Sequence, residues 1–424
     1  MTRMSIPNVK SLSLLSVVLL TCAMLFWASC GGGGFQAGSL GTVEVPEGED
    51  IHIRSLSSLT GASSLGVPNL RGVALAVADY GPIKGHNVTM GGGIDSLCTE
   101  EGGRAAADTV VGDPRVVGIV GTSCSIAATG AMPVVSEAGL VMVSPSNTAP
   151  SLTSDLKGTQ GENNRPGYYR TSSNDLYHAQ AAAGFAYDEL GLHTMAAIDD
   201  GGPYTSGLTG AFAEAFQGMG GSTTTYTISR GDTDLVPLLT RIAEGSPDGI
   251  FFPLFAGEGT RVIQQVGQVG GLEGVTLIGG TAMLDSEILA LPEAEGIYLM
   301  SPEVGFASNT NETTGKTNDD LVGAYMKQYN QPPTSAYLSY AYDATTILLK
   351  AVEETAVVEG DTLYIDRAKL RENLSSTSGF NGIIGSITCD EFGDCGTGRV
   401  LILHHSDPQV TDIADLPVVN RFAP

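Results

Sequence analysis

The chain has 424 residues, 42% of them hydrophobic and 16% charged, with 56 glycines and a formal net charge of −25. That length and composition specify a folded protein of two domains with a sizeable core. The acidic balance argues against nucleic acid and anionic lipid surfaces as partners, because like charges repel.

The first 29 residues read as a signal peptide rather than as part of the fold. Arg3 and Lys10 supply a positive start, and residues 12–27 form an apolar stretch rather short for a membrane span. It ends in Trp27-Ala28-Ser29-Cys30, small residues before a cysteine, as in a bacterial lipobox that has Trp where Leu is usual. Cys30 is then the lipidated mature N-terminus; the alternative is ordinary cleavage that leaves a free Cys30. Residues 30–47 open on four glycines and read as a flexible tether.

From residue 50 strands and helices alternate. A strand over 51–59 ends at Thr60-Gly61, and a helix follows over 68–80 with Leu70, Val73 and Val77 on one face. A second strand covers 87–93, its tip at 95–98, and a helix covers 103–111. Two apolar runs then stop at clusters of small hydroxylated residues. One runs Val116-Val117-Gly118-Ile119-Val120 into Gly121-Thr122-Ser123-Cys124-Ser125. The other runs Leu140-Val141-Met142-Val143 into Ser144-Pro145-Ser146-Asn147-Thr148. A second series has helices over 179–190, 205–217 and 234–244. Its strands are 194–198, 223–228, 249–255, 275–278 and 296–300. Helices at 321–329, 337–354 and 367–375 and a strand at 399–404 finish the chain. This alternation means parallel sheets covered by helices on both faces, arranged as two similar α/β lobes facing one cleft.

In open parallel sheets ligands bind beyond the carboxyl ends of the strands. Hydroxyls there, with the free N–H groups of a helix start, suit a small anionic or zwitterionic ligand. Taken singly, Ser125 and Thr148 fit plain helix caps equally well; two such turns side by side favour ligand contact. No G-x-S-x-G, H-E-x-x-H or G-x-x-x-x-G-K-[ST] pattern occurs, and the six histidines are scattered. His404 and His405 could touch a metal, but adjacent side chains point to opposite faces of a strand, which argues against a shared ion. The expected chemistry is therefore holding, with no catalysis, metal or cofactor.

Four cysteines remain beyond Cys22 and Cys30. In an exported protein Cys98, Cys124, Cys389 and Cys395 imply two disulfides, in any of three pairings. Cys389 and Cys395 bracket a short acidic loop, which favours their pairing and leaves Cys98 with Cys124. The rivals are a zinc site, for which the spacing is unsuited, and a reactive Cys124 at a helix start.

From about residue 43 to 408 the chain resembles the periplasmic solute-binding proteins of the branched-chain amino-acid type, the type I binding-protein fold that serves ABC transporters. The likeness rests on Ser58-Leu59-Thr60-Gly61, Tyr80-Gly81-Pro82-Ile83-Lys84-Gly85, Asp95-Ser96-Leu97-Cys98, the two hydroxyl-rich turns, Tyr169-Arg170-Thr171 and Ala341-Tyr342-Asp343-Ala344. The resemblance also implies the Cys98–Cys124 disulfide. It implies two lobes joined by three crossovers and closing by a hinge: 48–168 plus 301–383, and 169–300 plus 384–415, with 416–424 a C-terminal tail. It implies that Ser125 holds a ligand carboxylate, that the Ser146 carbonyl takes an ammonium, and that Thr148 contacts both. Tyr204 and Phe255 become aromatic walls, though each also fits a core position. Thr281 stands where amino-acid binders of the family place an acid; either Glu258 or Asp285 swings in, or the ligand lacks a free α-amino group.

The expected protein is a monomeric, lipid-anchored, extracytoplasmic solute-binding protein that delivers a small polar ligand, an amino acid or a related carboxylate or amide, to an ABC permease. The alternative is a sensor on the same fold. A hydrolase would need a clustered nucleophile and base, which the sequence does not offer.

Overall fold

A parallel strand covered by helices on both faces has no solvent side, and the run from Val116 to Gly121 is buried at every position. The structure, a computed structural model, describes residues 35–306 and 308–424. The signal peptide and Cys30 lie outside the described residues. The chain runs β1 (Thr42–Pro46), β2 (Ile51–Ser57), α1 (Ser63–Tyr80), β3 (Val88–Thr89), β4 (Ile94–Asp95), α2 (Glu100–Val111), β5 (Val116–Gly121), α3 (Ser125–Glu137), β6 (Met142–Ser144) and β7 (Tyr168–Arg170). It continues through α4 (Asp175–Gly184), β8 (Thr194–Asp199), α5 (Pro203–Gly218), β9 (Ser222–Thr227), α6 (Val236–Ala243), β10 (Gly249–Phe252), α7 (Ala256–Val266), β11 (Thr276–Gly279), α8 (Ser286–Leu289) and β12 (Tyr298–Pro302). It ends with α9 (Asn318–Tyr329), α10 (Leu338–Thr355), β13 (Val357–Glu359), β14 (Thr362–Asp366), α11 (Arg367–Ser375), β15 (Phe380–Gly382), β16 (Gly385–Ile387), β17 (Val400–His404) and β18 (Val418–Phe422).

Two large sheets carry the fold. The first has the order β3-β2-β5-β6-β7, with β4 also on β2, and every pair is parallel. The second has the order β18-β17-β12-β11-β10-β8-β9. It is parallel from β9 to β12 and antiparallel at β17 and β18. Helices cover both faces of each, as α/β layering requires. On the first sheet, α1 and α10 pack on one side, where Val73, Leu348 and Val352 meet Val117 and Val143. The other side holds α2 and α3, with Val110, Met132 and Val135 against Ile119 and Met142. These two helices lie in backbone contact: a Cβ on Gly103 would come within 1.9 Å of the Ala127 carbonyl. That contact fixes the start of α3. The second sheet is sandwiched likewise between two apolar clusters.

The chain passes between the sheets three times: after β7, after β12 and between β16 and β17. At the first passage Arg170 is fully buried and pairs with Asp394 from the third. Its remaining N–H groups reach the Ala149 carbonyl (2.8 Å) and the Thr153 hydroxyl (2.6 Å), so the charge is satisfied on every side.

Several expected bounds move. Residues 42–46 of the expected tether form β1, antiparallel to β14, with Val43 and Val45 in the core. The expected tail contains β18, the edge strand of the second sheet. The strand over 87–93 shrinks to β3, and β4 forms beyond the glycine run that follows it. The first helix begins at Ser63, five residues before Pro68, which sits in its second turn. The Asn174 side chain caps α4 by accepting from the Leu176 N–H, so that helix starts at Asp175 instead of 179. Helix α7 has no clear helical period in sequence, because its apolar positions are separated by Gly, Glu, Thr and Arg. No helix among the described residues is long and apolar enough to cross a membrane.

Candidate functional site

β5 and β6 are paired neighbours, with Ile119 opposite Met142 and Val120 opposite Val143. The turns that follow them therefore meet at the carboxyl edge of the first sheet. Ser123 and Ser125 from one turn, and Ser146 and Thr148 from the other, form one wall of a cleft. Tyr204 in the first turn of α5, Phe255 at the N-cap of α7, and Thr281 after β11 form the facing wall. Leu65 from α1 and Tyr337, just before α10, close the ends. All six residues expected to line a site thus lie on one cleft. The space between the walls is small, about 300 Å³ including its open mouth. The two walls therefore face each other at close range.

The first wall is held by its own hydrogen bonds. Asn69 of α1 donates through Nδ2 to the Ser146 hydroxyl (2.7 Å) and the Ser123 hydroxyl (3.2 Å). The Ser146 hydroxyl in turn donates to the Ser123 carbonyl at 3.0 Å. Its hydroxyl is therefore spent within the protein, which suits a contact through its carbonyl. The Ser125 hydroxyl accepts from the Ala149 N–H at 3.3 Å, so its own proton stays free to donate outward. Helix α3 starts at Ser125 with Cys124 as N-cap. No side chain caps its first N–H groups and no acid sits in its first turn. Its positive end therefore faces the cleft unneutralised.

The second wall is aromatic and loosely bonded. Tyr204 and Phe255 meet edge to face at 5.5 Å. The Tyr204 and Thr281 hydroxyls are 3.5 Å apart, at the limit of a hydrogen bond. Gly280 sets this approach: a Cβ there would lie 2.6 Å from the Tyr204 oxygen and 2.7 Å from the Pro253 Cα. Arg230 crosses from this wall to the other. Its Nε donates to Asp200 (2.8 Å), its Nη1 to the Cys98 carbonyl (3.0 Å), and its guanidinium lies 5.0 Å from the centre of the Phe255 ring.

The pairings Cys98–Cys124 and Cys389–Cys395 are both formed. Cys124 is therefore no free thiolate, and the reactive-cysteine alternative falls. The first disulfide ties the turn after β4 to the start of α3, with its Cα atoms 5.3 Å apart. The second closes the loop that presents Asp394 to Arg170. His405 is buried, with its two ring nitrogens at the Ala294 and Val410 carbonyls. Among the described residues no group of three or more His, Cys, Asp or Glu side chains could hold a metal ion.

Thr281 is in the cleft as expected, but neither acid swings in. Glu258 accepts from the Gly231 N–H (2.8 Å), and Asp285 caps the N-terminus of α8 by accepting from the Glu287 N–H (2.8 Å). Both are occupied outside the cleft.

Four residues escaped the sequence reading. Leu65 and Tyr337 sit at element ends, where periodicity says nothing. Tyr337 is 4% exposed, and its hydroxyl faces Thr281 without a hydrogen bond of normal geometry. Asp175 is wholly buried behind Thr148, whose carbonyl accepts its N–H at 2.9 Å. Burial pushes its carboxyl up to about 7 and pushes His178, 3.6 Å away, down to about 4. Both shifts favour neutral forms, so this contact is not a standing ion pair. Arg230 is the fourth; its position in a loop after a strand gave no signal.

Residues 50–394 match the family model described as periplasmic binding protein. The chain is 26% identical over 374 residues to Leu/Ile/Val-binding protein homolog 3 of Brucella melitensis biotype 1, covering 86% of this chain and 94% of that protein. It is 24% identical over 353 residues to the Leu/Ile/Val-binding protein of Escherichia coli K12, covering 82% and 88%. The leucine binding protein LivK of Thermotoga maritima superposes with a TM-score of 0.74 at 23% identity, over 88% of this chain and 99% of that one. A solute-binding protein of R. palustris in complex with benzoate superposes with a TM-score of 0.70 at 18% identity, over 88% and 97%. The matched stretch, the two large, mainly parallel sheets and the three passages between them agree: this chain belongs to the periplasmic binding protein family, extracytoplasmic solute-binding proteins that are not enzymes.

Proposed function

We propose that the protein captures a small carboxylate ligand between the two walls and delivers it to an ABC permease. The observation that carries this reading is the cleft itself: the uncapped start of α3, flanked by the Ser125 and Thr148 side chains, faces Tyr204, Phe255 and Thr281 at close range. The Ser125 hydroxyl and N–H groups of α3 hold the carboxylate. The Ser146 carbonyl and the Thr148 hydroxyl accept or donate beside it, and the aromatic wall covers the rest of the ligand. Relatives named for leucine, isoleucine and valine, and fold neighbours holding benzoate or 4-hydroxybenzoate, support a carboxylate as the common element.

The lobes are 48–168 plus 301–383 and 169–300 plus 384–415, with β18 added to the second, and the three crossovers act as the hinge. Cys30 carries the lipid and the residues up to β1 form the tether; the protein acts as a monomer. A thermal-shift screen with amino acids, small carboxylates and amides tests the central reading. A ligand at a hundred times its dissociation constant stabilises by about 2.7 kcal/mol, which is easily seen. If only amines lacking a carboxylate shift the melting curve, the reading is wrong. Cys30→Ser tests the anchor: the variant should leave the membrane fraction, and retention there would refute lipidation.

A further inference from the structure

The charge inventory of the cleft narrows the ligand further, on the reading that the cleft is the binding site. No residue lining it carries a charge. Its polar groups are hydroxyls: Ser125, Thr148, Thr281, Tyr204 and Tyr337, with Ser146 spent on Asn69 and Ser123. Among the groups that line it, positive potential comes from the first turn of α3, a helix of 13 residues with neither a capping side chain nor an acid there, while Arg230 beside Phe255 is paired with Asp200. An independent feature points to a ligand at the same place. The Tyr337 hydroxyl lines the cleft, is buried, and has no hydrogen-bond partner. Such a group in a native protein calls for an occupant that satisfies it.

The negative side of the inventory is short. Glu258 and Asp285 are spent on backbone N–H groups outside the cleft. Asp200 is paired with Arg230 and with the Thr205 hydroxyl. Asp175 stands behind Thr148, and burial holds it largely protonated below neutral pH. We infer that the cleft selects singly charged carboxylates, aliphatic or aromatic, that carry no free α-amino group. A carboxylate meets the end of α3 and the hydroxyls, which donate to it. An ammonium on the same ligand meets only hydroxyl and carbonyl oxygens, with no countercharge, and an uncompensated buried charge is strongly unfavourable. Leu65, Phe255 and Tyr204 receive the apolar remainder.

The test is calorimetric titration with pairs matched in shape: leucine against 4-methylpentanoate, and phenylalanine against 3-phenylpropanoate. The carboxylate of each pair should bind at least tenfold more tightly. Thr281→Glu should reverse the order, weakening the carboxylates and strengthening the amino acids; its circular dichroism melt is compared with wild type to confirm folding. The wild-type comparison decides even where that variant fails to fold. Leucine binding as tightly as 4-methylpentanoate overturns the inference and leaves the carboxylate-capture reading intact. Loss of that leucine binding in Asp175→Asn would then identify Asp175 as the countercharge. Failure of every amino acid, carboxylate and amide to bind overturns both readings together.

Discussion

The two walls of the cleft are built on different principles. The first is hydrogen-bonded within itself: Asn69, Ser123 and Ser146 lock one another, the Ala149 N–H holds the Ser125 hydroxyl, and a disulfide pins the helix start beside them. The second is aromatic, with one hydroxyl contact at 3.5 Å and one arginine reaching across. A wall satisfied within itself keeps its shape with or without a ligand, so it can present donors already in position. A wall held by ring contacts and one bridging cation can move away and return. The comparison therefore assigns recognition of the charged group to the first wall, and closure and shape selection to the second.

The largest effect should come from stripping the first wall of its outward donors. Ser125→Ala with Thr148→Ala should lower affinity for a bound carboxylate by about a thousandfold, roughly 4 kcal/mol for two hydrogen bonds to a charged group. Calorimetry checks this, and a matching fall in melting temperature would instead mark a folding defect. Next is the brace. The Cys98–Cys124 bond spans 26 residues and the Cys389–Cys395 bond spans 6. Replacing the first pair by serine should cost about 3 kcal/mol of stability and the second about 2, because longer loops gain more from closure. Denaturant melts of the two variants separate them, and only the first should also weaken ligand binding. Arg230→Ala removes the bridge that holds the second wall against the first. Losing its bond to the Cys98 carbonyl and its contact with Phe255 should weaken binding by about fivefold, near 1 kcal/mol, mainly through faster release. An unchanged release rate in stopped flow would break the division between the walls.

The last effect concerns pH, where the wild-type dependence is shallow. Asp175 holds its proton to about 7 when folded, against 3.8 for the ordinary group. Between those values the folded state binds the extra proton, so stability falls as pH rises. His178 stays neutral down to about 4 when folded, against 6.5 ordinarily, so between those values the unfolded state binds the extra proton and stability rises with pH. The two slopes oppose each other from about pH 4 to 6.5 and leave a shallow net dependence. Asp175→Asn should unmask the histidine, and melts between pH 4 and 6.5 should then show stability rising by up to about 1.4 kcal/mol per pH unit. A flat profile in that variant would contradict the account.

Much of the fold was legible because its strands are short apolar β-branched runs bounded by glycine and small polar residues. Residues 116–121 and 249–252 are examples, buried throughout on both faces. β1 and β18 were not, because TVEVP and VVNRF are short edge segments whose place depends on distant partners. The six residues Ser125, Ser146, Thr148, Tyr204, Phe255 and Thr281 line one cleft. They follow strands at the sheet edges, and order along the chain carries that information. Tyr337, Asp175 and Arg230 were not legible. Each becomes meaningful only through a neighbour more than 20 residues away: Thr281, Thr148 and Cys98. Thr281 taught the opposite lesson. The missing acid was visible in the sequence, while the fixed positions of Glu258 and Asp285 had to be seen.

The most direct test is a crystal structure of the complex with whichever carboxylate stabilises the protein most. The carboxylate should lie within hydrogen-bond reach of the Ser125 hydroxyl and the first N–H groups of α3, with the remainder against Phe255 and Tyr204. A ligand seated elsewhere, such as in the apolar groove between Phe306, Met326 and Ile413, would contradict the account.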